Sequence, residues 1–247
     1  MPKKLLTIAV LICCGGAHLS ATEWQLIASY PTPGPNPRGY SSWHPYAGYI
    51  VMDGPTPYVY FYSWEWSSIL SSFPAPGGPG TWGISYTSSF FISNNRTSWI
   101  YEAIGQGSVI NSFRCPFDGP ADVGIKFHFP AGLLVAIPDR NIIALLERTT
   151  GSLIRTYAGP GRRPVGTCGY AHHYIVDAAT HIVYEDGVSI VTGIQTPVGL
   201  GHGWYMEPPY DTDIYIIDDA TDRYYFYQRP PEGMEPASLG RVKALFK

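Results

Sequence analysis

Three histidine positions and one glutamate are the first residues in this sequence that could do chemistry together: His44, His128, the pair His172 and His173, and Glu207. Each follows a glycine at short range, His44 five residues after Gly39, His128 four after Gly124, His172 six after Gly166 and Glu207 four after Gly203. Three imidazoles and a carboxylate suit Zn²⁺ or another transition metal if they converge. The offsets differ, however, and the stretch after Gly83 has only Thr87 and Ser88 in their place. Hairpin and rim positions are the plainer reading, and no metal or other cofactor is assigned. Lys126 is the one cation and Glu207 the one anion on the stretches that follow these glycines. They pair, reach solvent, or in the case of Lys126 hold an anionic ligand group. Trp43, Tyr86, Tyr170, Trp204 and Tyr205 lie on or beside the same stretches, with Trp82 just ahead of one. Most must fill space between packed sheets, and some would offer rings for stacking against a sugar or peptide. The ligand-binding set expected from these types and positions is Trp43, Tyr86, Lys126, His128, Tyr170, Trp204 and Glu207.

The elements that position these residues are strands. Between Gly83 and Pro116 four runs rich in β-branched and aromatic residues, 83–87, 90–93, 99–104 and 108–113, are separated by Ser-Ser, Asn-Asn-Arg-Thr-Ser and Gly-Gln-Gly turn signals. Four strands on tight turns make one antiparallel sheet. The unit recurs: Gly39, Gly83, Gly124, Gly166 and Gly203 open successive copies at spacings of 44, 41, 42 and 37 residues. A period near 40 with four strands per copy is the mark of a β-propeller. The last copy supplies three strands, 204–207, 213–217 and 223–227, and lacks a fourth. Trp24–Tyr30 reads as the end of a copy without a beginning, so the N-terminal strand is expected to complete the last blade and remove an open sheet edge. The fold expected is therefore all-β, a five-bladed β-propeller of four-stranded antiparallel blades closed by its N-terminal strand.

Lys3 and Lys4, the apolar run from Leu5 to Cys14 and the small residues after it fit a secretory signal peptide, too short to span a bilayer. Residues 1–21 are read as that leader, 22–228 as the propeller, and 229–247 as a Pro-rich linker and tail with no function assigned. Export to a secreted or periplasmic location follows. The net charge of −3, made more negative when Lys3 and Lys4 leave, excludes nucleic acid as the natural partner. Cys115 and Cys168 fall at different positions of non-neighbouring copies, and no disulfide is expected between them.

The Gly-led inner strand, the Asp-bearing turn and the outer strand Thr150-Gly151-Ser152-Leu153-Ile154 resemble the broad NHL/YVTN group of secreted propellers over nearly the whole mature chain. That resemblance implies fold, and its motifs are structural. Asp53, Asn94, Asp139, Asp177 and Asp218 each end a second strand, where such side chains cap the next turn; a ring of oxygen ligands for Ca²⁺ is the alternative. A five-bladed glycosidase places three separate carboxylates on inner strands around one sugar, and the inner stretches offer Glu207 alone. The function expected is a non-catalytic binding or scaffold module for an extracellular or periplasmic glycan, peptide or protein. The alternative is a metal-dependent hydrolase or lyase at the channel mouth.

Overall fold

The structure is a computed structural model that describes residues 24–44, 47–63, 68–126, 131–169, 172–202 and 213–229, with the side chains of 42–44, 47 and 126 outside the description. Its first strand, β1 (Gln25–Pro31), belongs to the last blade. Blade 1 is β2 (Pro37–His44), β3 (Ala47–Met52), β4 (Tyr58–Tyr62) and β5 (Ile69–Pro74); blade 2 is β6 (Thr81–Tyr86), β7 (Phe90–Asn94), β8 (Trp99–Ile104) and β9 (Ser108–Arg114). Blade 3 is β10 (Val123–Lys126), β11 (Gly132–Ile137), β12 (Ile142–Leu146) and β13 (Leu153–Ala158), and blade 4 is β14 (Pro164–Cys168), β15 (Tyr174–Asp177), β16 (Ile182–Glu185) and β17 (Val188–Thr192). Blade 5 runs β18 (Pro197–His202), β19 (Asp213–Asp218), β20 (Arg223–Gln228) and then β1. All pairings within the blades are antiparallel, and β1 meets β20 from Gln25 opposite Gln228 to Pro31 opposite Arg223. The five-bladed ring and its N-terminal closure are thus as the sequence implies. No helix among the described residues is long and apolar enough to cross a membrane.

Burial falls from the second strand outward, and the sequence shows why. Every residue of Phe90–Asn94, Gly132–Ile137, Tyr174–Asp177 and Asp213–Asp218 is buried, because a second strand has a neighbouring blade on each face. Such strands read as continuous apolar runs rather than alternating ones. The outer strands of blades 1 and 2 are exposed except for one anchoring ring each: Phe73 on β5 and Phe113 on β9 are buried, while Leu70 and Ile110 are not. The anchors receive the next blade's turn. A Cβ at Gly107 would lie 2.8 Å from the Phe73 ring, and Gly107 stands at φ +89°, so this tight joint admits glycine alone.

Turn chemistry accounts for three of the five Asp and Asn residues expected at the ends of the second strands, while Asp139 stands in the 3-10 turn Pro138–Arg140 beyond β11. The Asn94 side-chain oxygen accepts the N–H groups of Arg96 and Thr97, Asp177 those of Ala179 and Thr180, and Asp218 that of Ala220. The same groups also reach the preceding linker, as when Asp177 accepts Arg162 N–H at 2.7 Å and Asp218 accepts Thr196 N–H at 2.8 Å. Asp53 instead accepts the N–H of Gly80, at the entry to blade 2. Cys115 and Cys168 are both buried and form no disulfide.

One register differs from the sequence reading. The inner strand of blade 5 is β18, so its ring glycine is Gly199, 33 residues after Gly166, and not Gly203. A Cβ at Gly199 would lie 3.0 Å from the Gly39 Cα, and one at Gly39 would lie 2.9 Å from the Gly83 Cα. Inner strands this close around the axis leave no room for a side chain. Gly199, Gly201 and Gly203 alternate, so the sequence offers three equal candidates and contact with Gly39 selects the first. Trp204 and Glu207 come after the last described residue of β18, His202, and with His128 and Tyr170 they lie outside the described residues.

Candidate functional site

Inner strands present a backbone edge to the axis, and three side chains fill that axis at one end. The Trp82 indole Nε1–H, on blade 2, donates to the Val198 carbonyl on blade 5 at 2.9 Å. Its ring touches the cores of blades 1 and 5 on one side and of blades 3 and 4 on the other. The Arg38 guanidinium lies 5.0 Å from the indole centre and pairs with Asp219 at 2.9 Å. Above them sits Asp122, with no solvent exposure. One carboxyl oxygen accepts Val123 N–H at 2.9 Å; the other accepts Thr167 N–H at 3.3 Å and Leu200 N–H at 3.2 Å, and Ile84 N–H adds a further bond. Blades 2, 3, 4 and 5 are tied through one side chain. Burial pushes its pKa well above the ordinary carboxylate range, against the pull of the four N–H groups.

Over this plug the channel opens into a cavity of about 30 Å³ whose walls include Ser41, Ser85, Tyr86, Thr167, Cys168 and His202. Ser41 Oγ accepts the Tyr86 N–H at 2.9 Å. Thr167 is 1% exposed, and its hydroxyl has no hydrogen-bond partner among the described residues. Among the described residues the channel is therefore a blind well, sealed at the end where inner strands begin and open where they finish.

Of the seven residues expected to bind a ligand, only Tyr86 has a described side chain, and it stands in the wall of the well, packed 4.6 Å from Phe90 and 5.2 Å from Tyr49 between ring centres. Trp43 and Lys126 lie at or next to the last residue of β2 and β10, at the open end, with side chains outside the description. His128, Tyr170, Trp204 and Glu207 fall outside the described residues, in the connections that leave the inner strands at that same end. The convergence of His128, His172 and Glu207 is in consequence not on view. Among the described residues no group of three His, Cys, Asp or Glu side chains is placed to hold a metal ion.

His172 is described, and it has a carboxylate partner that its position in the repeat does not announce. Its Nδ1 lies 2.7 Å from Asp186 Oδ2 and 3.6 Å from Glu185 Oε1. The other Asp186 oxygen accepts the His173 N–H at 2.9 Å, which fixes the carboxylate against the loop that carries the imidazole. Burial opposes the charge on Asp186, but the His172 hydrogen bond and the His173 N–H hold its pKa below the usual value. Glu185 also meets the Arg229 guanidinium, which donates to the Tyr174 hydroxyl at 3.2 Å and stacks 5.2 Å from the centre of Trp24. Trp24 in turn meets the Tyr174 ring edge-on at 5.8 Å. Both described chain ends are clasped to blade 4 beside the open end of the well. A separate hollow of about 320 Å³ between blades 3 and 4 is walled by Tyr157, His173, Ile175 and Asp186.

Sequence reasoning passed over Asp122 because it stands one residue ahead of an inner strand. The repeat nevertheless carried a signal. Two residues ahead of the ring glycines stand Pro37, Thr81, Asp122, Pro164 and Pro197, and one ahead stand Arg38, Trp82, Val123, Val165 and Val198. Asp122, Trp82, Arg38 and Thr81 are the departures from these columns, and the first three of them plug the axis.

No family model matches the chain, and no curated protein matches it. Among solved structures it is similar to the glutaminyl cyclase of Myxococcus xanthus, with a TM-score of 0.64 and 12% identity over 83% of this chain and 95% of that one. Likeness at that identity is a likeness of fold.

Proposed function

We propose that this chain is an exported binding module that takes a glycan, peptide or surface protein at the open end of its axial well. The observation that carries this reading is the asymmetry of the channel. One end is occupied by Trp82, Arg38 and Asp122, whose polar groups are spent on neighbouring blades, and the other opens toward the connections that contain His128, Tyr170, Trp204 and Glu207. Concave sites with a few polar groups among aromatic walls are the usual form of a ligand pocket. Asp122 is not available as a catalytic carboxylate, since both its oxygens are committed to backbone N–H groups.

The melting temperature of the full chain, with chelator and then with divalent metals and a glycan panel, tests the reading. A ligand at a hundred times its dissociation constant adds about 2.7 kcal/mol, a rise of a few degrees for a domain of this size. A shift with glycans or peptides alone supports the binding module. No shift with any of them counts against it.

The enzyme reading is favoured by one observation, the Asp186–His172 pair. A carboxylate on Nδ1 orients an imidazole, as a general base requires. The glutaminyl cyclase shows that an enzyme is built on a similar fold. Hydrolase or lyase activity on a substrate found to bind, reduced a hundredfold or more in His172→Gln with binding retained, would establish this reading. Full activity in that variant would remove it.

A further inference from the structure

The hollow between blades 3 and 4 lies apart from the axial well, and its occupant does not depend on what the well takes. We propose that this hollow is the dock of the chain's own Pro-rich segment 230–236, Pro-Pro-Glu-Gly-Met-Glu-Pro.

Position comes first. Arg229, the last described residue, has its guanidinium on Glu185 and on the Tyr174 hydroxyl and lies over the Trp24 ring. The residue after Glu185 is Asp186, which with Gly187 forms one wall of the hollow. Chain that leaves the Arg229 clasp therefore starts beside it. A polyproline stretch advances about 3.1 Å per residue, so segment 230–236 reaches roughly 20 Å and can cross to the Pro160 wall. The tether also holds the segment at an effective concentration on the order of millimolar, where modest contacts suffice.

Surface comes second. At about 320 Å³ the hollow has the size of a small ligand pocket, and its walls include Tyr157, Pro160, His173 and Ile175. The Tyr157 and His173 rings meet nearly edge to face, with centres 5.5 Å apart. Aromatic-lined grooves receive Pro-rich segments because a polyproline helix is ordered before it binds and loses little entropy. Proline also lacks an N–H, so Pro230 and Pro231 bring no donor that apolar walls would leave unsatisfied. Met234, flexible and apolar, suits the Ile175 wall.

Charge comes third. The Arg155 guanidinium stacks 5.5 Å from the Tyr157 ring centre and offers Glu232 and Glu235 a cation at the rim. On the opposite wall Asp186 already meets His172 Nδ1 and the His173 N–H. The acids of the segment belong on the Arg155 side.

The test uses the full chain with a photoreactive diazirine analogue of methionine at position 234, irradiated, digested and mapped by mass spectrometry. Cross-links within one molecule are expected on residues 155–160, 173–175 or 186–187. Cross-links confined to other blades, or none, overturn the dock. A double-mutant cycle on the full chain gives the second reading. Pro230→Ala with Pro231→Ala should lower the melting temperature by about 2–4 °C, and the same pair should shift it by less than about 1 °C when Tyr157→Ala is already present. His173→Ala is run in parallel, and a cooperative melt of either ring variant establishes a folded background. An equal loss with and without the ring would arise in the unfolded chain, which the prolines stiffen, and overturns the dock. Ligand-induced shifts from the well are read in the unmodified chain, so the binding-module reading stands or falls separately.

Discussion

The two ends of the axis are built from the same five strands, yet they differ in how the repeat is used. At the sealed end the chain departs from its own pattern: Asp122, Trp82 and Arg38 stand where other copies carry Pro or Val, and each reaches across to another blade. At the open end it keeps the pattern of the strands and varies the connections, which run from two residues between β2 and β3 to ten between β18 and β19. Departures within strands hold the ring together, whereas departures in the connections shape what the ring presents. In a repeat architecture the exceptional residues are therefore more informative than the repeated ones, and where they lie tells which kind of information they carry.

Removing the plug is the strongest way to sharpen the contrast. Asp122→Ala would leave four buried backbone N–H groups without an acceptor. At about 1–3 kcal/mol for each stranded group, with partial relaxation, a loss of roughly 4 kcal/mol or more is expected, close to the whole stability of many domains. Chemical denaturation of the purified chain measures it. A loss below about 1 kcal/mol would mean that the strands satisfy those groups without the carboxyl, and the plug would no longer be what ties blades 2 to 5.

The clasp at the other end should be next in size. Trp24 is 7% exposed, meets the Tyr174 ring and lies under Arg229, so Trp24→Ala removes an aromatic anchor from the strand that closes the ring. About 3 kcal/mol is expected from the lost burial, with early exchange of the amides that pair β1 with β20. If β1 instead exchanges no faster than β3, closure does not depend on this clasp.

Much of the ring could be read from spacing alone, because each strand had to bury its faces against identical neighbours. Blade 2 shows how closely: 99–104 was expected and β8 is Trp99–Ile104, while the run expected at 90–93 became β7 at Phe90–Asn94. Glycines were the weak point. Gly199, Gly201 and Gly203 are alike in sequence, and only contact with Gly39 distinguishes the one that turns toward the neighbouring strand. The site was less legible for a different reason. The partners of His172 and Asp122 are set by which blades face each other, so that Asp186, fourteen residues from His172, and Leu200, seventy-eight from Asp122, leave no local trace. Tyr86 stands in the wall of the well because it lies on an inner strand, where position in the repeat predicts position in space.

The smallest effect distinguishes the two ends by sign. Asp122, at the sealed end, has its folded-state pKa raised by burial, so its contribution is fully present below the unfolded value of about 3.9 and is lost as pH rises through the folded value. Asp186, beside the open end, has a lowered pKa, so its contribution is present above about 3.9 and is lost as pH falls through the folded value. The stability of the wild type relative to Asp122→Asn should therefore decline as pH rises, by at most about 1.4 kcal/mol per unit. Relative to Asp186→Asn it should decline as pH falls below about 4, and by less than about 1 kcal/mol in all, because that carboxylate is half exposed and screened by solvent. Denaturation curves for the three proteins between pH 3 and 8 decide it. Parallel slopes for the wild type and Asp122→Asn would show that the buried carboxyl titrates as it does in the unfolded chain, which would require water to reach the plug. The contrast between a sealed end and an open one would then be lost.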